Sequence, residues 1–224
     1  MVTLSHRSTL LPTIAGVDPP DSRIARDAAE LARDASSDVL FHHVMRSYYF
    51  GEKRAAVEFA SYDREVVLLS LVLHDLGLTD HARGPRRFEI EGADVARQFA
   101  TSHGLAEEKA WLVWDNIALH PLDLNLYKQP EARAVEWGIW ADVLGWELDM
   151  LGRDAVAEIV AAFPRLGFKR ELLRLLRQEA EAKPTTHLFH PCTMVAHHCL
   201  GGVSIPDARP MIDGAPFDEG EGQC

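Results

Sequence analysis

Apolar side chains recur at three- and four-residue intervals through most of this chain, the spacing that lines one face of an α-helix. Asp21-Ser22 caps a first run carrying Ile24, Ala28 and Leu31. Ser37-Asp38 caps a second, with Leu40, Val44 and Ser47 or Tyr48 along one side. Asp63 caps a third, whose almost unbroken apolar stretch from Val66 to Leu73 reads as a buried helix, with Leu76-Gly77 expected to end it. A loop from Leu78 to Arg87 contains Gly84-Pro85. Further helices are expected over Glu89–Ser102, Ala106–His120 and Pro130–Leu151, then Asp154–Phe163, Leu166–Ala182 and Thr186–Leu200. No stretch alternates with a period of two, and no repeat is present. The pattern predicts an all-α bundle in one domain over 21–200. An extended N-terminal arm (1–20) and an acidic, loosely structured C-terminal tail (201–224) flank it.

Charge and composition narrow the partners. A net charge of −11 argues against nucleic acid, which demands clustered Lys and Arg. The basic residues Arg165, Lys169, Arg170, Arg174 and Arg177 read as the solvated face of a leucine-backed helix. No apolar run approaches the ~20 residues of a membrane span, and no secretory signal is recognisable. Cys192, Cys199 and Cys224 show no metal-binding spacing and read as reduced thiols of a cytoplasmic protein. The expected partner is a small molecule, and a homodimer is compatible with the chain.

Candidate chemistry centres on His74-Asp75, two metal-ligand types side by side at the end of the apolar third helix. His43 and Asp142 stand on two other helices with apolar faces, so all four can point into one core. A buried carboxylate is costly unless paired or metal-bound, and Asp142 lies among Ile139, Trp140, Val143 and Leu144. Two imidazoles and two carboxylates suit one divalent metal ion: Zn2+ first, with Fe2+, Mn2+ or Ni2+ as alternatives.

Three motifs carry a family resemblance: Phe41-His42-His43-Val44-Met45-Arg46, Leu73-His74-Asp75-Leu76-Gly77 and Ala141-Asp142-Val143-Leu144-Gly145. Over roughly residues 35–150 the chain resembles the HD-domain superfamily of metal-dependent hydrolases. The resemblance implies that His43, His74, Asp75 and Asp142 are the metal ligands. Arg87-Phe88-Glu89-Ile90-Glu91-Gly92-Ala93, Ile117-Ala118-Leu119-His120-Pro121 and Phe163-Pro164-Arg165 are similar to the cyanamide hydratase-like branch, although His42 and Val44 stand where Asn and Ser are expected. Phe88 occupies the position where dinuclear relatives carry a third His, and His103 at a helix end is a poor substitute, so one metal ion is expected.

The branch resemblance brings His120 and Glu89 forward as catalytic candidates. It implies a hydratase that adds water to a small nitrile-like substrate such as cyanamide, giving urea. Metal-bound hydroxide would attack the nitrile carbon, with His120 or a bound water protonating the nitrogen. Phe88, Trp114 or Trp140 could shrink the pocket around so small a substrate. Arg46 either orients an active-site carboxylate or pairs at the surface. The alternative activity is an HD-type phosphohydrolase acting on nucleoside monophosphates or other phosphomonoesters. Leu78 weighs against it, because nucleotidase-like relatives carry Glu there. A third option is a non-catalytic HD ligand-binding domain. His81 lies in a loop, and His187, His190, His197 and His198 are read as polar helix surface rather than a second metal site.

Overall fold

A computed structural model describes residues 11–183 and 190–200. Among the described residues the protein is all-α, with no strand beyond one isolated bridge between Ile14 and Val17. The helices are α1 (Arg23–Ala35), α2 (Asp38–Glu58), α3 (Arg64–Leu73), α4 (Phe88–Ser102), α5 (Glu107–Leu119), α6 (Pro130–Leu144), α7 (Arg153–Ala162), α8 (Phe168–Ala182) and α9 (Pro191–Leu200). No helix among the described residues is long and apolar enough to cross a membrane.

Local chemistry sets the entry to the helices that matter most. The Ser37 side chain accepts from Leu40 N–H at the start of α2, and Asp63 accepts from Glu65 and Val66 N–H at the start of α3. Each such cap stabilises its helix by about 1 kcal/mol. Every residue of α3 from Val66 to Leu73 is buried, as its apolar run requires. Packing on all sides leaves α3 no solvent face, so it serves as an axle for the bundle.

The longest helix seam joins α2 to α6. Two glycines allow it. A Cβ on Gly138 would lie 2.2 Å from the Ser47 carbonyl, and one on Gly51 would lie 2.4 Å from the Ala134 carbonyl. Backbone therefore meets backbone at this crossing, and His43 on α2 is brought against Asp142 on α6.

Several boundaries differ from the sequence pattern. Helix α3 stops at Leu73 rather than at Leu76-Gly77, and a 3-10 turn, Leu76–Leu78, follows. Gly77 does not end a helix; it lets α4 approach, since a Cβ there would strike the Phe88 carbonyl at 1.8 Å. Helix α6 ends at Leu144, where Gly145 adopts the left-handed conformation (φ 74°), and Leu148–Leu151 forms a separate 3-10 turn. The C-terminal helix begins at Pro191; residues 186–189 lie outside the described residues, as do 1–10 and the tail 201–224. Residues 11–20 of the expected N-terminal arm pack against the bundle. Leu11, Ile14 and Val17 are buried, and Tyr49 and Lys53 hold the segment by its Pro12 and Ala15 carbonyls.

Candidate metal centre

The end of α3 is where the site is made. Once the helix stops at Leu73, His74 and Asp75 are released from its register while remaining within the core. Both are buried, as is His43 on α2, and the three form a group able to hold a metal ion.

Hydrogen bonds fix which nitrogen of each ring is available. The Leu71 carbonyl can only accept, so His74 donates Nδ1–H to it at 2.8 Å. His43 likewise donates Nδ1–H to Asp142 Oδ2 at 2.7 Å. In both rings Nε2 is then the nitrogen left to bind a metal. The two Nε2 atoms face each other at 3.2 Å, and Asp75 Oδ2 stands 3.5 Å and 3.4 Å from them. Asp75 Oδ2 is buried without a hydrogen-bond partner. Two imidazole nitrogens and a carboxylate oxygen that converge in a dry interior are the donor atoms a cation would gather. The donor set therefore fits a divalent ion. Burial, with His43 nearby, lowers the His74 pKa to about 3, so the ring is in its neutral, ligating form at neutral pH. Burial also raises the Asp75 carboxyl, more than the nearby His43 and His120 lower it.

Asp142 sits elsewhere than the four-ligand pattern suggests. It lies behind His43, on the Nδ1 side, outside the three-residue group. Arg46 grips it with two bonds, Nε to Oδ1 at 2.7 Å and Nη2 to Oδ2 at 2.8 Å, and Arg165 Nη1 adds a third at 2.7 Å. Burial would raise the Asp142 pKa, but the bonds from His43 and Arg46 outweigh it and hold the carboxyl well below its ordinary range. From this position Asp142 would orient His43 and make its Nε2 a better donor to a bound metal, the usual work of a carboxylate behind a ligating imidazole. Of the two readings open for Arg46, the structure selects the buried one: the residue is 0% exposed, and Nη1 also donates to the Phe163 and Pro164 carbonyls. Arg165 departs from the solvated face predicted for it. Phe168, opening α8, stacks on the His43 ring at 4.3 Å.

His120 closes α5 beside the group, its ring centroid 5.0 Å from that of His74. It donates Nδ1–H to the Ile117 carbonyl at 2.7 Å, and burial together with His74 pushes its pKa down to about 4. His120 is thus neutral at pH 7, with Nε2 an acceptor. In this state Nε2 can give a proton to substrate only after first accepting one.

Glu89 is buried in the first turn of α4 but does not line the cavity above the group. It faces Arg87 Nε at 2.6 Å and His190 Nε2 at 3.2 Å. Its pKa is lowered: burial raises it, and His190, through hydrogen bonding and charge, more than compensates. His190 corrects the surface reading given to the C-terminal histidines. It is buried at the entry to α9, where Nδ1 accepts from Cys192 N–H at 3.1 Å. Its polar signal in the sequence is His190-Pro191, a side-chain acceptor ahead of a helix-starting proline. His197 and His198 are exposed on α9, His81 is exposed in its loop, and His187 lies outside the described residues. Cys192 is buried with its thiol pKa pushed up by burial, while Cys224 and the Cys199 side chain lie outside the described residues.

Above the group opens a cavity of about 250 Å³. His43, His74, Asp75 and His120 contribute to it, together with Leu78 and Phe88. Phe88 stands edge-on to His120 and to His190. Trp140 lines the cavity, whereas Trp114 does not; its indole N–H donates to Asp94 on α4. His103 is also remote, engaged with Asp27 at the far end of α4. No protein-family model matches the chain, and no curated protein matches it.

Proposed function

We propose that this chain is an HD-domain hydratase that uses one divalent metal ion to add water across a small carbon–nitrogen multiple bond, cyanamide being the simplest substrate. The observation that carries the reading is the facing pair of Nε2 atoms from His43 and His74, closed by an Asp75 Oδ2 that accepts no hydrogen bond. These three residues would hold the ion. When bound, it acts as a Lewis acid that acidifies water and polarises the nitrile.

The chain's own groups do the rest. His120 Nε2, an acceptor beside His74, takes a proton from the water as it adds to carbon. The same nitrogen then returns that proton to the substrate nitrogen, so a single imidazole completes the addition and no leaving-group acid is required. Asp142, held by Arg46 and Arg165, keeps His43 in the tautomer that presents Nε2. Glu89 acts at one remove, holding His190 against the cavity.

A phosphohydrolase reading is disfavoured by the cavity itself. Among the described residues no Arg or Lys lines it, so a phosphate would find no cationic partner there beyond the metal. Urea formation from cyanamide by zinc-loaded protein, abolished by His74→Ala and by chelation, tests the hydratase. Release of phosphate from nucleoside monophosphates, with no urea formed, would replace it with the phosphohydrolase. A chain that binds no metal and turns over neither substrate would support the ligand-binding alternative.

A further inference from the structure

Cyanamide has three heavy atoms, and the cavity above His43, His74 and Asp75 is far larger than it needs. Its volume is about 250 Å³. An apolar cavity of about 150 Å³ already holds benzene, and one water occupies about 30 Å³ in the liquid. The space therefore accepts a ring with a short side arm.

The chemistry of the walls is as informative as the volume. Apart from His190, the charged or imidazole side chains of the lining are His43, His74, Asp75 and His120 of the metal-binding floor, all nearly or fully buried. Both ring nitrogens of His190 are engaged, Nδ1 by Cys192 N–H and Nε2 opposite Glu89. What His190 offers the cavity is ring carbon. The rest of the lining is largely apolar: Trp140, Val143 and Leu144 come from α6, and Leu172 and Leu176 from α8. Exposure increases outward along this wall. Ile139 is 5% exposed, Trp140 and Val143 are half-buried, and Leu144 is 67% exposed at the rim. An apolar rim around a polar floor is unfavourable in water and gains most from an apolar occupant. A charged occupant would lose its hydration with no Lys or Arg among the described residues to replace it.

We infer that the substrate of this site is a neutral molecule with an apolar body about the size of a substituted benzene ring, which carries the small reactive group down to the metal-binding floor. Only the identity of that reactive group rests on the hydratase reading. The α6 and α8 side chains Trp140, Leu144, Leu172 and Leu176 set specificity for the body. Cyanamide is then a minimal substrate that leaves most of the cavity unfilled.

Fluorine NMR on the full chain, with and without zinc, tests this without relying on turnover. The probes are 4-fluorophenylacetonitrile, the nitrile-free 4-fluoroethylbenzene and the charged 4-fluorophenylacetate. Both neutral probes are expected to bind, the carboxylate at least tenfold more weakly in the metal-free protein. Leu172→Glu at the half-buried wall is expected to weaken the neutral probes tenfold or more, with zinc content and helical circular dichroism unchanged. In a straight-chain series from propionitrile to hexanenitrile, affinity should rise roughly fourfold per methylene. Failure of the neutral probes to bind wild-type protein, tighter binding of the metal-free chain to the carboxylate, or a flat homologous series would overturn the inference. Nitrile hydration is scored separately. Probes that bind as expected without any nitrile being hydrated support the apolar body and reject the hydratase. Cyanamide hydration without probe binding supports the hydratase and rejects the apolar body.

Discussion

Replacing Arg46 by methionine separates a structural carboxylate clamp from a merely local ion pair. Arg46 is fully buried and makes four hydrogen bonds, two to Asp142 and one each to the Phe163 and Pro164 carbonyls. Methionine restores much of the aliphatic volume, so the cavity left behind is small and the loss is electrostatic. Removing one member of a buried ion pair costs about 3–5 kcal/mol, because the other charge is left without compensation. Arg165 and His43 still face Asp142 in the variant, which places the expected loss near the lower end, about 3 kcal/mol. For a chain of this length 1 kcal/mol corresponds to about 2–4 °C, so the metal-free variant should melt about 6–12 °C below wild type. Urea unfolding of the metal-free protein gives the free energy directly. The second readout is zinc affinity, by competition with a chelator. Asp142 orients His43, and loss of such a partner lowers metal affinity about ten- to a hundredfold. A variant that loses less than about 1 kcal/mol and binds zinc like wild type would show that Arg46 neither stabilises the core nor positions the ligand.

Four further outcomes follow from particular contacts. His74→Ala should lose stoichiometric zinc in metal analysis after dialysis, whereas Asp142→Asn should retain it with affinity reduced about ten- to a hundredfold. Equal loss in both would return Asp142 to the ligand set. Gly138→Ala forces a Cβ to 2.2 Å from the Ser47 carbonyl and should cost about 1–3 kcal/mol in urea unfolding while weakening zinc binding. An unchanged midpoint would mean that the α2–α6 crossing yields at no cost. Glu136 is buried on α6, and desolvation raises its pKa to about 9. The unfolded chain releases this proton near its ordinary 4.5 and the folded chain near 9. Unfolding therefore releases a proton between those values, and this residue's contribution to stability falls as pH rises through the window. Glu136→Gln should stabilise the protein by about 4 kcal/mol more at pH 8 than at pH 5, and an equal effect at both pH values in urea titrations would contradict the burial argument.

Much of the helical architecture was visible in the order of residues because local rules decide it. Ser22, Ser37 and Asp63 cap helices as their side chains predict. The unbroken apolar run of α3 is buried on every side. His43, His74 and Asp75 meet as expected, since each lies at a buried position of its own helix or just beyond its end. The same local view misjudged Gly77 and Gly145. Which glycine takes a left-handed turn and which admits a neighbouring backbone depends on what approaches it.

Residues whose role depends on distant partners were not legible in this way. Asp142 looks like a ligand by residue type and burial, yet Arg46, Arg165 and His43 converge on it from α2 and the turn before α8. His190 reads as surface until α9 folds it against Glu89 on α4, 101 residues earlier in sequence. Residue type and helical period specify the helices, their caps and the chemistry available in the core, because those depend on neighbours within a turn or two. Which nitrogen is left to bind a metal, which carboxylate stands behind it and how large a cavity opens above depend on helices crossing at close range. Packing governs these, through glycines that let backbones touch and through hydrogen bonds between residues a hundred positions apart.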